Sequence, residues 1–183
     1  YSVLKTLGLT GVERLRPFEL GTFAAPGFEL TVSRTGFTGD LGYELWVDPQ
    51  DATRLWDALS AIPRPRGVRP IGSKALNLAR IEAGFLAPHV DFFPAEHALR
   101  VGRTRSPLEL GLEWLVDFGK GHFTGRRALL AEQRRGPRRR LVGLDVEGNK
   151  PAHNALLYAE RAGRHEIGSV TSAAARRREN RHA

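Results

Sequence analysis

The sequence predicts an α+β protein, and three observations carry that prediction. Apolar and polar residues alternate on both sides of a glycine-rich stretch at 33–44, which is the period of half-buried strands. Two segments with helical spacing follow, around 49–59 and 73–83. Beyond residue 141 the texture changes to short strand-like runs separated by turns, which predicts a separate all-β part.

Taken in order, Val3, Leu4 and Leu7 share one helical face, and Gly8 is a suitable stop. Pro17 and Pro26 bracket a short strand at Thr22, Phe23 and Ala24. Phe28 to Val32 and Tyr43 to Val47 read as paired strands. Gly36, Gly39 and Gly42 stand three apart between them, with Asp40 at the tip. A hairpin needs fewer glycines than this, so the excess, together with Thr35 and Thr38, predicts a loop that a ligand approaches closely. The returning strand would then hold the carboxylate of Glu44 at a set depth. Asp48 and Pro49 open a helix with Leu55, Trp56 and Leu59 on one face. The prolines and glycine of 62–70 predict a loop or hinge. The next helix, over 73–83, should turn Ala75, Leu78 and Ala79 to the core and end at Gly84. Residues 87–107 look irregular. From 108 to 118, Leu108, Leu110, Leu112, Trp114 and Val116 alternate with polar residues and glycine, predicting a strand that buries Trp114. Thr124 is placed to cap a helix containing Ala128, Leu129 and Leu130, which Gly136 and Pro137 end. Three strands are then expected, at 141–146, 155–158 and 167–171, with a turn at 161–164. Three strands leave an incomplete barrel or sandwich with an unpaired edge.

Composition narrows the function classes. There is no cysteine, so disulfides and thiolate metal sites are excluded. His89, His97, His122, His153 and His165 are scattered without the spacing of a zinc site, and no metal is expected. No apolar run approaches the ~20 residues that cross a bilayer, and no signal-like segment opens the chain, so no membrane association is expected and a cytoplasmic location is. The first residue is Tyr1 and not methionine, and the chain reads as a fragment cut at both ends. The net charge of +8 invites a nucleic-acid reading. Much of the excess sits in two arginine clusters, Arg134–Arg140 and Arg176–Arg178, which carry no interleaved aromatics. They read as a solvated surface, and nucleic acid is not an expected partner. Phosphate-loop, dinucleotide and nucleophile-elbow patterns are absent from the sequence.

Two residues admit two readings each. Glu44 is either an ordinary solvent-facing strand carboxylate or an acceptor of two N–H bonds from a planar heterocycle. Arg80, close to Glu82, is either half of a surface ion pair near a helix end or part of the same site.

Four motifs occur in one order: SRTGFTGDLGYEL at 33–45, ARIEAG at 79–84, SPLELGLEW at 106–114 and FTGRRAL at 123–129. In that order they resemble the glycine cleavage T-protein family, the tetrahydrofolate-dependent aminomethyltransferases and their folate-dependent demethylase relatives. GNKPAH at 148–153 resembles a T-protein-like subgroup. The resemblance implies a partial folate-binding cloverleaf over 1–120 and an incomplete C-terminal β-barrel over 121–183. It further implies that Glu44 binds the pterin ring, that Phe37 flanks it where the family has tyrosine, that Trp114 lines the same pocket, and that Arg80 belongs to the folate site. The family's catalytic aspartate would precede Tyr1. Where the glycine cleavage enzymes place an arginine ahead of their ARIEAG-like motif, this chain has Leu76, with Lys74 nearby.

The activity implied is transfer of a one-carbon unit from an aminomethylated lipoyl arm on a carrier protein to tetrahydrofolate, with release of ammonia. Phe37 and Leu76 keep a second reading open, demethylation of a small methylated donor. A third is a folate-binding regulatory protein without turnover, and a fourth is RNA binding through the arginine clusters.

Overall fold

A computed structural model describes residues 1–63, 67–148, 152–161 and 163–174. The chain divides into two compact units, residues 1–85 and 86–183, and each is described by itself. Of the two arginine clusters, Arg176–Arg178 lies outside the described residues, as do Asn149, Lys150 and Pro151 of the GNKPAH stretch.

The first unit is a three-stranded antiparallel sheet covered on one face by short helices. Strands β1 (Leu20–Ala25), β2 (Phe28–Ser33) and β3 (Glu44–Val47) lie in the order β1-β2-β3. Pro26 and Gly27 make the turn between the first two, because Ala25 pairs with Phe28. Leu30 lies opposite Phe23 on one side and Val47 on the other, and Val32 lies opposite Gly21 and Leu45. With a period of two, these residues all point to one face. There they meet Leu4 of α1 (Ser2–Thr6), Leu55 of α2 (Ala52–Ser60), and Leu7, Leu9, Val12, Leu15 and Ile62 from the connections. Val12 and Val32 are fully buried, so this cluster is the core on which the sheet is seated. Asp48 accepts a hydrogen bond from the Gln50 amide and Pro49 follows it, as the capping pattern predicts, although the first turn is a 3₁₀ turn that leads into α2.

Helix α3 (Ser73–Glu82) has the predicted span but not the predicted orientation. Ala75 is exposed and Leu78 is 38% exposed, whereas Arg80 is the buried residue of the helix at 2%. Only its C-terminal turn packs closely: of the three residues expected to face the core, Ala79 in that turn is half-buried, while Ala75 and Leu78 are exposed.

The second unit corrects two expectations of strand. Residues 108–118 form turns, not a strand, and Trp114 sits in a 3₁₀ turn (Glu113–Leu115) at 74% exposure. The cause is legible after the fact. The Ser106 hydroxyl accepts from the Glu109 amide while the Glu109 carboxylate accepts from the Ser106 amide, a capping box with Pro107 at the first helical position. Backbone bonds from Leu110 to Ser106 and from Leu112 to Pro107 close the turns, and Leu108 and Leu110 are buried while Trp114 is not. The run 141–147 is not a strand either. Its Leu141 amide bonds to Glu109, but Val142, Leu144 and Val146 stay 53–61% exposed, with no described strand beside them to complete a ladder. The other two strands form as a pair, β4 (Leu156–Tyr158) antiparallel to β5 (Glu166–Ser169), with an irregularity between Leu157 and Tyr158.

Helix α4 (Arg126–Arg135) starts from Gly125, whose backbone is left-handed, and its first amides receive no side-chain cap, so Thr124 is not the cap. Gly136 ends it as expected. Within α4, buried Glu132 accepts from the Ser106 hydroxyl at 2.8 Å. Asp91 ties distant segments together: one carboxylate oxygen accepts from the Ala87 amide and the other from the hydroxyls of Thr171 and Ser172.

Candidate functional site

The glycine-rich connection is built as the sequence predicts, in the ten residues between β2 and β3. Its two stems approach so closely that a Cβ on Gly36 would lie 3.2 Å from the Gly42 Cα. At its far end Gly39 has φ of +83°, and a Cβ there would lie 2.6 Å from the Ala83 Cβ, just past α3. The loop is therefore seated on the C-terminal end of α3 with no room for a side chain at the contact. Ser33 and Thr35 share a hydrogen bond of 3.0 Å at the loop's entry.

Phe37 leaves this loop and stacks on Phe85, with ring centroids 5.7 Å apart and planes 21° from parallel. Both rings keep substantial exposure, 40% for Phe37 and 39% for Phe85. One face of an aromatic pair is thus spent on the partner while part of the surface stays open to a flat ligand. Arg80 is bonded to Phe85. Its Nε–H donates to Asn77 Oδ1 at 2.9 Å, and Nη1 donates to the Phe85 carbonyl at 3.1 Å. Arg80 is therefore buried at the end of α3, with its guanidinium bonded inside the protein.

Glu44 begins β3 and is exposed. It lies opposite Ser33, which in turn lies opposite Leu20. The next row on the same face holds Thr22, Thr31 and Trp46, and this face is turned away from the core. An open depression there is lined by Thr22, Thr31, Trp46, Asp48 and Asp51 among others, and Glu44 is not part of its wall. Exposure leaves the Glu44 carboxylate oxygens available as acceptors. The remaining candidate, Trp114, belongs to the second unit and exposes most of its indole.

A comparison with protein families matches residues 3–120 to the GCVT N-terminal domain. The chain belongs to that family. Among individual relatives, the aminomethyltransferase of Halothermothrix orenii is 34% identical over 171 residues, covering 93% of this chain and 44% of that protein. The trimethylamine-oxide aldolase of Ruegeria pomeroyi is 36% identical over 149 residues, 80% of this chain and 17% of that protein. Among solved structures, the glycine cleavage system aminomethyltransferase T from Bartonella henselae superposes with a TM-score of 0.75 at 28% identity, over 93% of this chain and 44% of that one. This GCVT-family chain thus spans less than half the length of the aminomethyltransferases it matches.

Within this GCVT-family chain the structure brings Phe37 and Arg80 into one assembly and sets Glu44 on the adjoining strand. Sequence reasoning missed Phe85, which joins them. The available signal was position: Phe85 directly follows the glycine that ends the ARIEAG motif, so it is the first large side chain after the helix. Among the described residues, no helix is long and apolar enough to cross a membrane, and no cluster of metal-ligating side chains occurs.

Proposed function

We propose that this chain supplies the pterin-facing loop and strand of a tetrahydrofolate-dependent aminomethyltransferase acting in one-carbon metabolism. The observation that carries this reading is the Phe37–Phe85 stack on a glycine loop that leads directly into the exposed carboxylate of Glu44, in a GCVT-family chain. The donor set suits the ligand, since a pterin has two flat faces for an aromatic ring and an edge of N–H groups for a carboxylate. Tetrahydrofolate, when bound, accepts the one-carbon unit. The chain's own contribution is binding and orientation, which lowers the barrier by holding the acceptor nitrogens where the incoming carbon arrives. Glu44 accepts the edge N–H groups, Phe37 covers a ring face, and Trp114 takes the pocket-lining role that the family resemblance implies for it. The partner that delivers the carbon is a lipoylated carrier protein. In this reading residues 1–120 form the folate-binding region, 121–183 contribute to a C-terminal barrel, and the enzyme works in the cytoplasm.

A second reading, folate-dependent breakdown of a small methylated amine, draws on the similarity to the Ruegeria aldolase and on Phe37 and Leu76, which the family resemblance sets where the glycine cleavage enzymes have tyrosine and arginine. Titration with tetrahydrofolate by calorimetry tests the shared core of both readings. Micromolar or tighter binding that Glu44→Gln weakens supports them; binding that Glu44→Gln leaves unchanged refutes the assignment of Glu44. Aminomethylated carrier protein and small methylated amines, offered as alternative donors, then separate the two.

A further inference from the structure

Arg80 is the one buried residue of α3, and two of its bonds hold the helix's last turn and the residue that follows its end. Nε reaches back one turn to Asn77, and Nη1 reaches past the helix end to the Phe85 carbonyl. The Phe85 amide returns a bond of 2.8 Å to the Arg80 carbonyl. Phe85 is thereby held at both its N–H and its C=O by one residue. A doubly held backbone sets where the Phe85 ring stands, and that ring stacks on Phe37. Ala83, between the two, closes against Gly39.

We infer that Arg80 is a positioning residue: acting through Phe85, it fixes the ring plane of Phe37 before a flat heteroaromatic ligand arrives. The inference deepens the folate reading and rests on it. At 2% exposure the guanidinium has its work inside the protein, and the ligand meets Phe37. An unsupported Phe37, on a loop with three glycines, would have to be immobilised on binding, and ordering a side chain costs affinity. Lysine cannot replace the arginine here, because a single ammonium lacks the planar fork that serves Asn77 and Phe85 together.

The test uses the protein expressed from its complete reading frame, with tetrahydrofolate affinity by calorimetry and a thermal melt for each variant. Phe37→Leu, Phe85→Leu, Phe85→Tyr and Arg80→Lys are made singly, and the Phe85→Leu and Arg80→Lys changes are repeated on Phe37→Leu. We expect Phe85→Leu and Arg80→Lys each to weaken binding about three- to tenfold. Phe85→Tyr, which keeps the stack, should retain affinity. On the Phe37→Leu background neither change should weaken binding further, an outcome that a general loss of stability would not produce. Should Arg80→Lys fail to fold, Phe85→Leu carries the test alone, since it keeps the carbonyl and the helix end. Additive effects on Phe37→Leu, or unchanged affinity in Phe85→Leu, overturn the inference. Glu44→Gln separates the levels. If it weakens binding while the Phe85 and Arg80 variants do not, the folate reading stands and the positioning role falls. If neither Glu44→Gln nor Phe37→Leu matters, both fall.

Discussion

Gly39→Ala probes the seat of the glycine loop on α3, and its cost divides into two parts that can be measured separately. The backbone part comes from φ of +83°, where an L-residue loses about 1–2 kcal/mol. A gain of roughly 0.4–1 kcal/mol opposes it, because alanine restricts the unfolded chain. The packing part comes from the new methyl, which would stand 2.6 Å from the Ala83 Cβ, where ordinary contacts lie at 3.4–4 Å. Overpacking of this kind costs about 1–3 kcal/mol. Together they predict a loss of roughly 2–4 kcal/mol, a drop in Tm of about 5–15 °C for a chain of this size. Gly11→Ala is the matched control, since Gly11 has φ of +86° in the same unit with nothing within 4 Å of an added Cβ. It should cost about 1 kcal/mol or less. Ala83→Gly, combined with Gly39→Ala, removes the collision and should restore most of the packing part. Urea unfolding of these three variants and of Ala83→Gly alone completes the cycle. If Gly39→Ala is no worse than Gly11→Ala, or if Ala83→Gly gives no recovery, the loop is not seated on α3 as described.

Three further outcomes are expected. Glu44→Gln replaces one acceptor oxygen with a donor at nearly constant shape, so tetrahydrofolate affinity should fall about tenfold to a hundredfold while the thermal melt stays put; a shifted melt with unchanged affinity would make Glu44 a structural carboxylate. Asp91→Ala leaves the Ala87 amide and the hydroxyls of Thr171 and Ser172 without their acceptor, which should cost about 2–5 kcal/mol and speed hydrogen exchange at Ala87; unchanged exchange would show that Asp91 does not tie these segments. Nucleic acid should bind weakly and without sequence preference at low salt and not at physiological ionic strength, where charges are screened over ~8 Å; tight binding to one RNA at physiological salt would contradict the reading of the arginines as solvated surface.

Local chemistry made much of the first unit legible. Alternation over Phe28 to Ser33 and Glu44 to Val47 announces the strands because each residue's side is dictated by its neighbours in the same run. Asp48 with Pro49 marks the start of a helical segment because the cap bonds to an amide two residues on. The three glycines marked the loop, since only glycine permits both the close stems and the backbone at Gly39. Where two local signals competed, alternation misled: from Leu108 to Val116 it coexists with a capping box at Ser106 and Glu109, and the box won because it satisfies backbone amides without a partner strand. The expected strand at 141–146 did not form for the complementary reason, that a strand is made by its neighbour, and among the described residues none pairs with it. The burial of Arg80 and its link through Phe85 to Phe37 could be decided only by folding. Charge and helical phase both place an arginine outside, yet here it is held inside in part by the carbonyl of Phe85, supplied by the chain's path after the helix had ended.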